Sequence, residues 1–243
     1  MSADPSVSSR IQRPLSEADS TAATRLGAKR DDGLPAPAGA RPADDFYHDG
    51  SRQLQRRLGT ERLAQHIARH YVHDSLADEH IGWIRSADAV FLATTDPHGR
   101  PECSYKGGLP GFVRVPDPRT LEIPSYDGNG MFRSFGNALA CPNVGLLFLF
   151  PEHRAKLRVN GVCEVLTDTA DVAAHIGADA VLRVTVREVF ENCPRYLHDR
   201  STGERSADCP RTDYIPPDPD WKLKPEYDGI VSRRETSLVR DGE

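Results

Sequence analysis

"DGNGMFRSFGNALACPNVGLLFLF", residues 127–150, passes from turn residues through an amphipathic stretch into a nearly unbroken apolar run. Phe132, Phe135 and Leu139 recur at i, i+3 and i+7, the period of a helix with one apolar face, and Asn129 suits its N-cap. Val144–Phe150 is strand-sized and apolar on both faces, as a buried strand would be. A helix feeding a core strand explains the apolar positions and leaves Arg133, Ser134 and Asn137 unexplained. Arg133 and Asn137 lie four apart and project side by side, with Ser134 adjacent. A helix N-terminus offers free backbone N–H groups and a partial positive charge. Adding a guanidinium and a hydroxyl produces a phosphate site. On these residues alone, a merely solvated polar face is the plainer alternative.

The segments on either side set the context. "AVFLATTD" from residue 89 reads as a strand, "DPHGRP" as a turn, and "ECSYKG" as the hairpin partner. "GFVRVPD" and "RTLEIPSY" form a second pair, in which Pro124 points to a sheet edge or an interrupted ladder. After residue 150 come "AKLRVNGVCEVLTD" and "AVLRVTVREVFEN". In the latter, Leu182, Val184 and Val186 alternate with Arg183, Thr185 and Arg187, a half-buried antiparallel strand. In "KLRVNG", Leu157 and Val159 point one way while Arg158 and Asn160 point the other, toward a ligand, an interface or solvent. Six to seven strands with one helix inserted midway fit a small closed barrel better than an open sheet. Ahead of them, Thr60 caps an expected helix with Leu63, Ile67 and Tyr71 on one stripe, and Ser75 with Asp78 suggests a capping box for a second.

The ends read differently. Residues 1–45, with "LPAPAGARPADD" at the extreme, bury too little apolar area to form a core and are expected to be a disordered arm. The expected domain spans 46–200, and 201–243, with "YIPPDPDW", reads as an extended tail. Across 243 residues the net charge is -5, which argues against a general nucleic-acid binder. No apolar run approaches the ~20 residues of a membrane helix, and the N-terminus lacks the pattern of a secretory signal. The five cysteines, widely spaced and with no CxxC pair, fit reduced thiols in a cytoplasmic protein and no metal site.

Taken in order, "AVFLATTDPHGRPECSYKGGLPGFVRV", "LEIPSYDGNGMFRSFGNALACPNVGLLFLF" and "LRVNGVCEVLTD" resemble the flavin-binding split barrels related to pyridoxamine 5'-phosphate oxidase. The resemblance covers about residues 80–195 and is strongest to an uncharacterised oxidase-like branch carrying "GFVRV", "VGLLF", "LRVNG" and "NCPRY", here with Cys141 where Asn is usual before Pro142. It implies a mainly β fold with peripheral helices, a six- to seven-stranded antiparallel split β-barrel that binds FMN between two subunits of a homodimer. The flavin phosphate would lie at the start of the helix near Asn129, on Arg133, with Ser134 in place of the oxidase's lysine and Asn137 one turn on. The strand carrying Ser104, Tyr105 and Lys106 would run along the flavin ring, and Ile123, Pro124 and Ser125 would touch it from the next strand. Arg158 and Asn160 would face the cofactor groove, from the same or the other subunit, and Lys156 stands where the oxidase has a glutamine.

The resemblance implies an FMN-dependent oxidoreductase acting on an unidentified small molecule. "RYLHDR" at Arg195–Arg200 echoes the oxidase's substrate segment, but its lead "EVFENCP" does not, so the oxidase's own substrate is not carried over. No catalytic residue is assigned, no Ser/His/Asp or Cys/His nucleophilic set is recognisable, and neither nucleic acid nor membrane is an expected partner. Two other readings stand beside this one: the same barrel with the deazaflavin coenzyme or haem, and a flavin-binding sensor or carrier.

Overall fold

The computed structural model describes residues 46–199 and 202–231. The expected arm at 1–45, Arg200, and the tail beyond 231 lie outside the described residues.

Three helices lead in: α1 (Asp49–Leu58), α2 (Glu61–His70) and α3 (Asp78–Ser86). α1 gives little sequence signal because none of its residues is buried and its main apolar positions, Leu54 and Leu58, are exposed. It is bounded instead by its ends. The His48 ring accepts from Gly50 N–H, and Gly59 closes the last turn at φ 66°. Thr60 does occupy the N-cap of α2, without a side-chain capping bond, and the buried face there is Ala64 and Ala68. The capping box expected at Ser75 is not formed. Ser75 donates to the Asp74 carboxylate, the N-cap of α3 is Ala77, and the His80 ring accepts the Ala77 N–H at 3.3 Å.

Seven strands follow: β1 (Ala89–Thr95), β2 (Pro101–Gly107), β3 (Arg114–Asp117), β4 (Thr120–Tyr126), β5 (Asn143–Phe150), β6 (Ala155–Leu166) and β7 (Ala178–Asn192). All pair antiparallel in the order β2-β1-β5-β6-β7-β4-β3, as the alternation patterns require. The β1–β2 turn is built on Asp96, whose carboxylate accepts from the N–H groups of His98 and Arg100 and from the Arg100 guanidinium. β3 is shorter than expected, since Phe112 and Val113 enter the core before the ladder begins. It reaches only to Glu122 of β4. Beyond that point β4 has a free edge, which is where Pro124 is tolerated.

Val90 and Leu92 of β1, Leu121 and Ile123 of β4, Leu146 and Phe148 of β5, Leu157 and Val159 of β6, and Leu182 and Val184 of β7 share one core. Full burial of such a side chain contributes roughly 1.5–3 kcal/mol. The sheet must curl for strands so far apart in its order to share that core. It stays split between β2 and the β3–β4 edge, and there the helix α4 (Arg133–Ala140) seals the opening with Phe135 and Ala138.

α4 departs from expectation in two ways. Its N-cap is Phe132, in the left-handed region at φ 47°, and not Asn129, whose side chain closes a local turn by accepting Met131 N–H. Its buried face is Ser134, Phe135 and Ala138, while Phe132 and Leu139 stand in solvent. Starting three residues later than expected puts Arg133 at the first helical position and rotates the core-facing stripe.

Candidate functional site

The split is lined by β2, the end of β4 and the first turn of α4. Period two along β2 sends Glu102, Ser104 and Lys106 toward α4 and leaves Cys103 and Tyr105 on the outer surface. Across from them lie Ser125 and Tyr126, the Gly128–Phe132 loop, and Arg133, Ser134 and Phe135. Together they enclose a cleft of about 230 Å³. The first main-chain bond of α4 runs from Gly136 N–H to Phe132 C=O. The N–H groups ahead of it have no partner within the helix and belong to Arg133, Ser134 and Phe135, which line the cleft.

Of the residues expected at the site, Ser104, Lys106, Ser125, Asn129, Arg133 and Ser134 line this cleft. The Ser104 and Ser134 hydroxyls are 2.8 Å apart and bridge β2 to α4. The Lys106 ammonium sits 5.6 Å from the centre of the Phe135 ring. Burial pushes its pKa below the ordinary lysine value, and the charge of Glu102 opposes that shift. The Arg133 side chain is 58% exposed.

The others are elsewhere. Tyr105 packs edge-on against Phe91 on the outer face, and Pro124 is buried in its strand beside Ser125. Asn137 lies one turn deeper and is already engaged, its amide donating to Thr94 Oγ1 and Glu102 Oε2, both at 3.1 Å. Arg158 and Asn160 do share a face, the outer face of β6, away from this chain's cleft. Arg158 stacks over Phe190 and Asn160 donates to Glu188 at 2.9 Å.

Glu102 is the site residue that sequence reading overlooked. Its carboxylate accepts from Asn137 and stands 3.8 Å from Arg133 Nε. The signal was available, because a strand that turns Ser104 and Lys106 into a groove turns Glu102 there too.

The "NCPRY" segment is held by β6 and by the chain that follows it. Arg195 pairs with Asp208 at 3.1 Å, the His198 ring accepts Ser206 N–H, and Lys156 Nζ donates to the Arg195 carbonyl at 3.0 Å. These bonds tie Arg195, His198 and Lys156 into structure. His66 and His70 stand one turn apart on α2 with ring centres 4.5 Å apart, a spacing that metal sites use. Among the described residues, however, no group of three or more His, Cys, Asp or Glu side chains is placed to hold a metal ion. No helix among them is long and apolar enough to cross a membrane.

A curled antiparallel sheet, split along one seam with a short helix sealing the seam, defines a split-barrel protein with a polar cleft at the helix start. Residues 76–193 match the family model described as pyridoxamine 5'-phosphate oxidase, which makes this stretch a split barrel of the kind related to that oxidase. A search among curated proteins gives no match. Solved structures similar to the chain include HupZ from Group A Streptococcus, at 18% identity over 54% of this chain and 99% of that one, with a TM-score of 0.39. A putative pyridoxamine 5'-phosphate oxidase from Lactobacillus delbrueckii is 23% identical over 48% of this chain and 94% of its own, TM-score 0.39. HutZ from Vibrio cholerae, described as a heme storage protein, is 18% identical over 47% and 93%, TM-score 0.35.

Proposed function

We propose that the chain is an FMN-dependent oxidoreductase acting on a small molecule, with the flavin phosphate seated at the start of α4. One observation carries this reading: the open N–H groups of α4, the exposed Arg133 guanidinium, the Ser104–Ser134 hydroxyl pair and the Lys106 ammonium converge on one cleft. Donors on that scale match a phosphate, and only the Glu102 carboxylate opposes one. The family supports a flavin over other phosphate-bearing ligands. When bound, FMN supplies a ring that accepts and returns a hydride. The chain's part is to hold and tune it. Arg133 and the first turn of α4 anchor the phosphate, and Lys106 stabilises negative charge on the reduced ring.

The same reading calls for two copies. About 230 Å³ is below the roughly 300–1,000 Å³ of sites that enclose whole ligands, so one chain supplies only part of the wall. Leu109, Met131, Phe132 and Leu139 stand exposed on and beside the loops that frame the cleft, the kind of apolar surface a second copy would cover. In that arrangement Arg158 and Asn160, on an outer sheet face of one copy, are available to the cofactor of the other. A cytoplasmic setting belongs to this proposal, and the five unpaired cysteines support it.

Titration of the full chain with FMN and with riboflavin tests the phosphate seat. A seat of this kind contributes about 1.5–3 kcal/mol, so FMN should bind roughly ten- to a hundredfold tighter. Equal affinity for the two ligands would remove the basis for the proposal.

A further inference from the structure

A phosphate cradle has no obvious use for a carboxylate, yet Glu102 lies in the middle of this one. It is placed by the pleat of β2 and held by the Asn137 amide at 3.1 Å, which is itself held by Thr94 of β1. Arg133, the guanidinium best placed for a phosphate, is 3.8 Å from the same Glu102 oxygen. The charged and titratable groups that line the cleft with Glu102 are Arg133 from α4, Lys106 from its own strand, and Tyr126 at the end of β4. Arg133 and Lys106 against Glu102 give the cleft as a whole one net positive charge, and with Lys106 serving the ring, Glu102 offsets the one cation left for the phosphate. A fully ionised phosphate monoester brings nearly two negative charges.

We propose that Glu102 determines which phosphate the cleft accepts: a singly charged, protonated one, whose O–H donates to the Glu102 carboxylate while Arg133 serves the other oxygens. The inference rests on the flavin-phosphate reading above and concerns the ionisation state in which that phosphate is held. Two deprotonated oxygens side by side repel each other. One proton between them turns the repulsion into a short charge-assisted hydrogen bond. Phosphate monoesters lose their second proton near pH ~6, so above that pH binding must recover a proton from solvent. Affinity then falls by up to about tenfold per pH unit.

The test is calorimetric titration of the full chain with FMN near pH ~6 and near pH ~8, in buffers of different ionisation enthalpy, with riboflavin as the phosphate-free control. The wild type should bind FMN up to about a hundredfold more weakly at the higher pH and take up about one proton there. Riboflavin should show neither effect. Glu102→Gln keeps the side-chain shape and an acceptor for Asn137. It should bind FMN about tenfold tighter than wild type at the higher pH and take up no proton. Wild-type FMN binding that is independent of pH and takes up no proton overturns the inference while leaving the flavin reading standing, and this arm needs no variant to fold. Weaker FMN binding by Glu102→Gln would also overturn it, leaving Glu102 as a positioning group for Asn137. Failure of both flavins to bind the wild type at either pH overturns the inference together with the reading beneath it.

Discussion

Arg133 stands at the first position of α4 with more than half its side chain in solvent and only a long contact to Glu102. A pair so exposed contributes about 0–1 kcal/mol to stability, so Arg133→Ala should fold normally. It should weaken FMN roughly ten- to a hundredfold and leave riboflavin nearly unchanged, as fluorescence titration of the two ligands would show. Loss of both ligands alike would make Arg133 structural. Lys106→Ala should behave differently, disturbing both ligands and shifting the flavin midpoint potential, because its ammonium projects from the strand proposed to lie along the ring. At this scale the sequence revealed the donors and concealed their occupancy. Arg133, Ser134, Ser104 and Lys106 were legible because helical and strand periods fix direction. That Asn137 is already bound to Thr94 and Glu102 was not legible, since those partners lie 43 and 35 residues away and meet it only through the fold.

Among the elements, β6 and β7 depend on one glycine. The register between them shifts at Asn160/Gly161, and a Cβ at Gly161 would run into the Thr185 carbonyl and the Val184 side chain. Gly161→Ala should therefore lower stability by about 1–3 kcal/mol, seen as a fall in Tm, whereas an unchanged Tm would show that the two strands can separate locally. The segment after β6 is pinned by a second device. Glu122 of β4 is buried, and its carboxylate accepts from Arg183 of β7 and meets His175 Nε2 at 3.2 Å. Burial raises its pKa, but the bonds and charges of Arg183 and His175 outweigh burial and hold it below the ordinary range. A depressed carboxyl stabilises the fold above the unfolded value, near ~4.3, and that contribution is lost as pH falls through the folded value. Chemical denaturation from pH ~5 down to ~3 should thus show a steeper loss for wild type than for Glu122→Gln. Parallel curves would mean that Glu122 is not coupled to folding. The strands were readable because alternation is local. α1 and the true start of α4 were not, since one buries no residue and the other begins at a left-handed Phe132 that no propensity favours.

For the molecule as a whole, the cleft is too small to enclose a flavin and its rim carries exposed apolar side chains, so the cofactor-bound form is expected to be a homodimer. Light scattering of the flavin-loaded protein should give twice the chain mass of 26.8 kDa. A monomer with flavin bound would contradict the shared site. The curled sheet was legible in the sequence from its strand count and order. The split was legible only through the family resemblance and not from strand count, because it depends on which strands end the sheet, here β2 and β3. The central claim is that this cleft holds FMN. Its most direct test is the mass of the small molecule released when the purified, full-length protein is denatured. The account predicts FMN, about one per chain, and release of a deazaflavin or of haem, or of nothing from a protein that then takes up no added FMN, would contradict it.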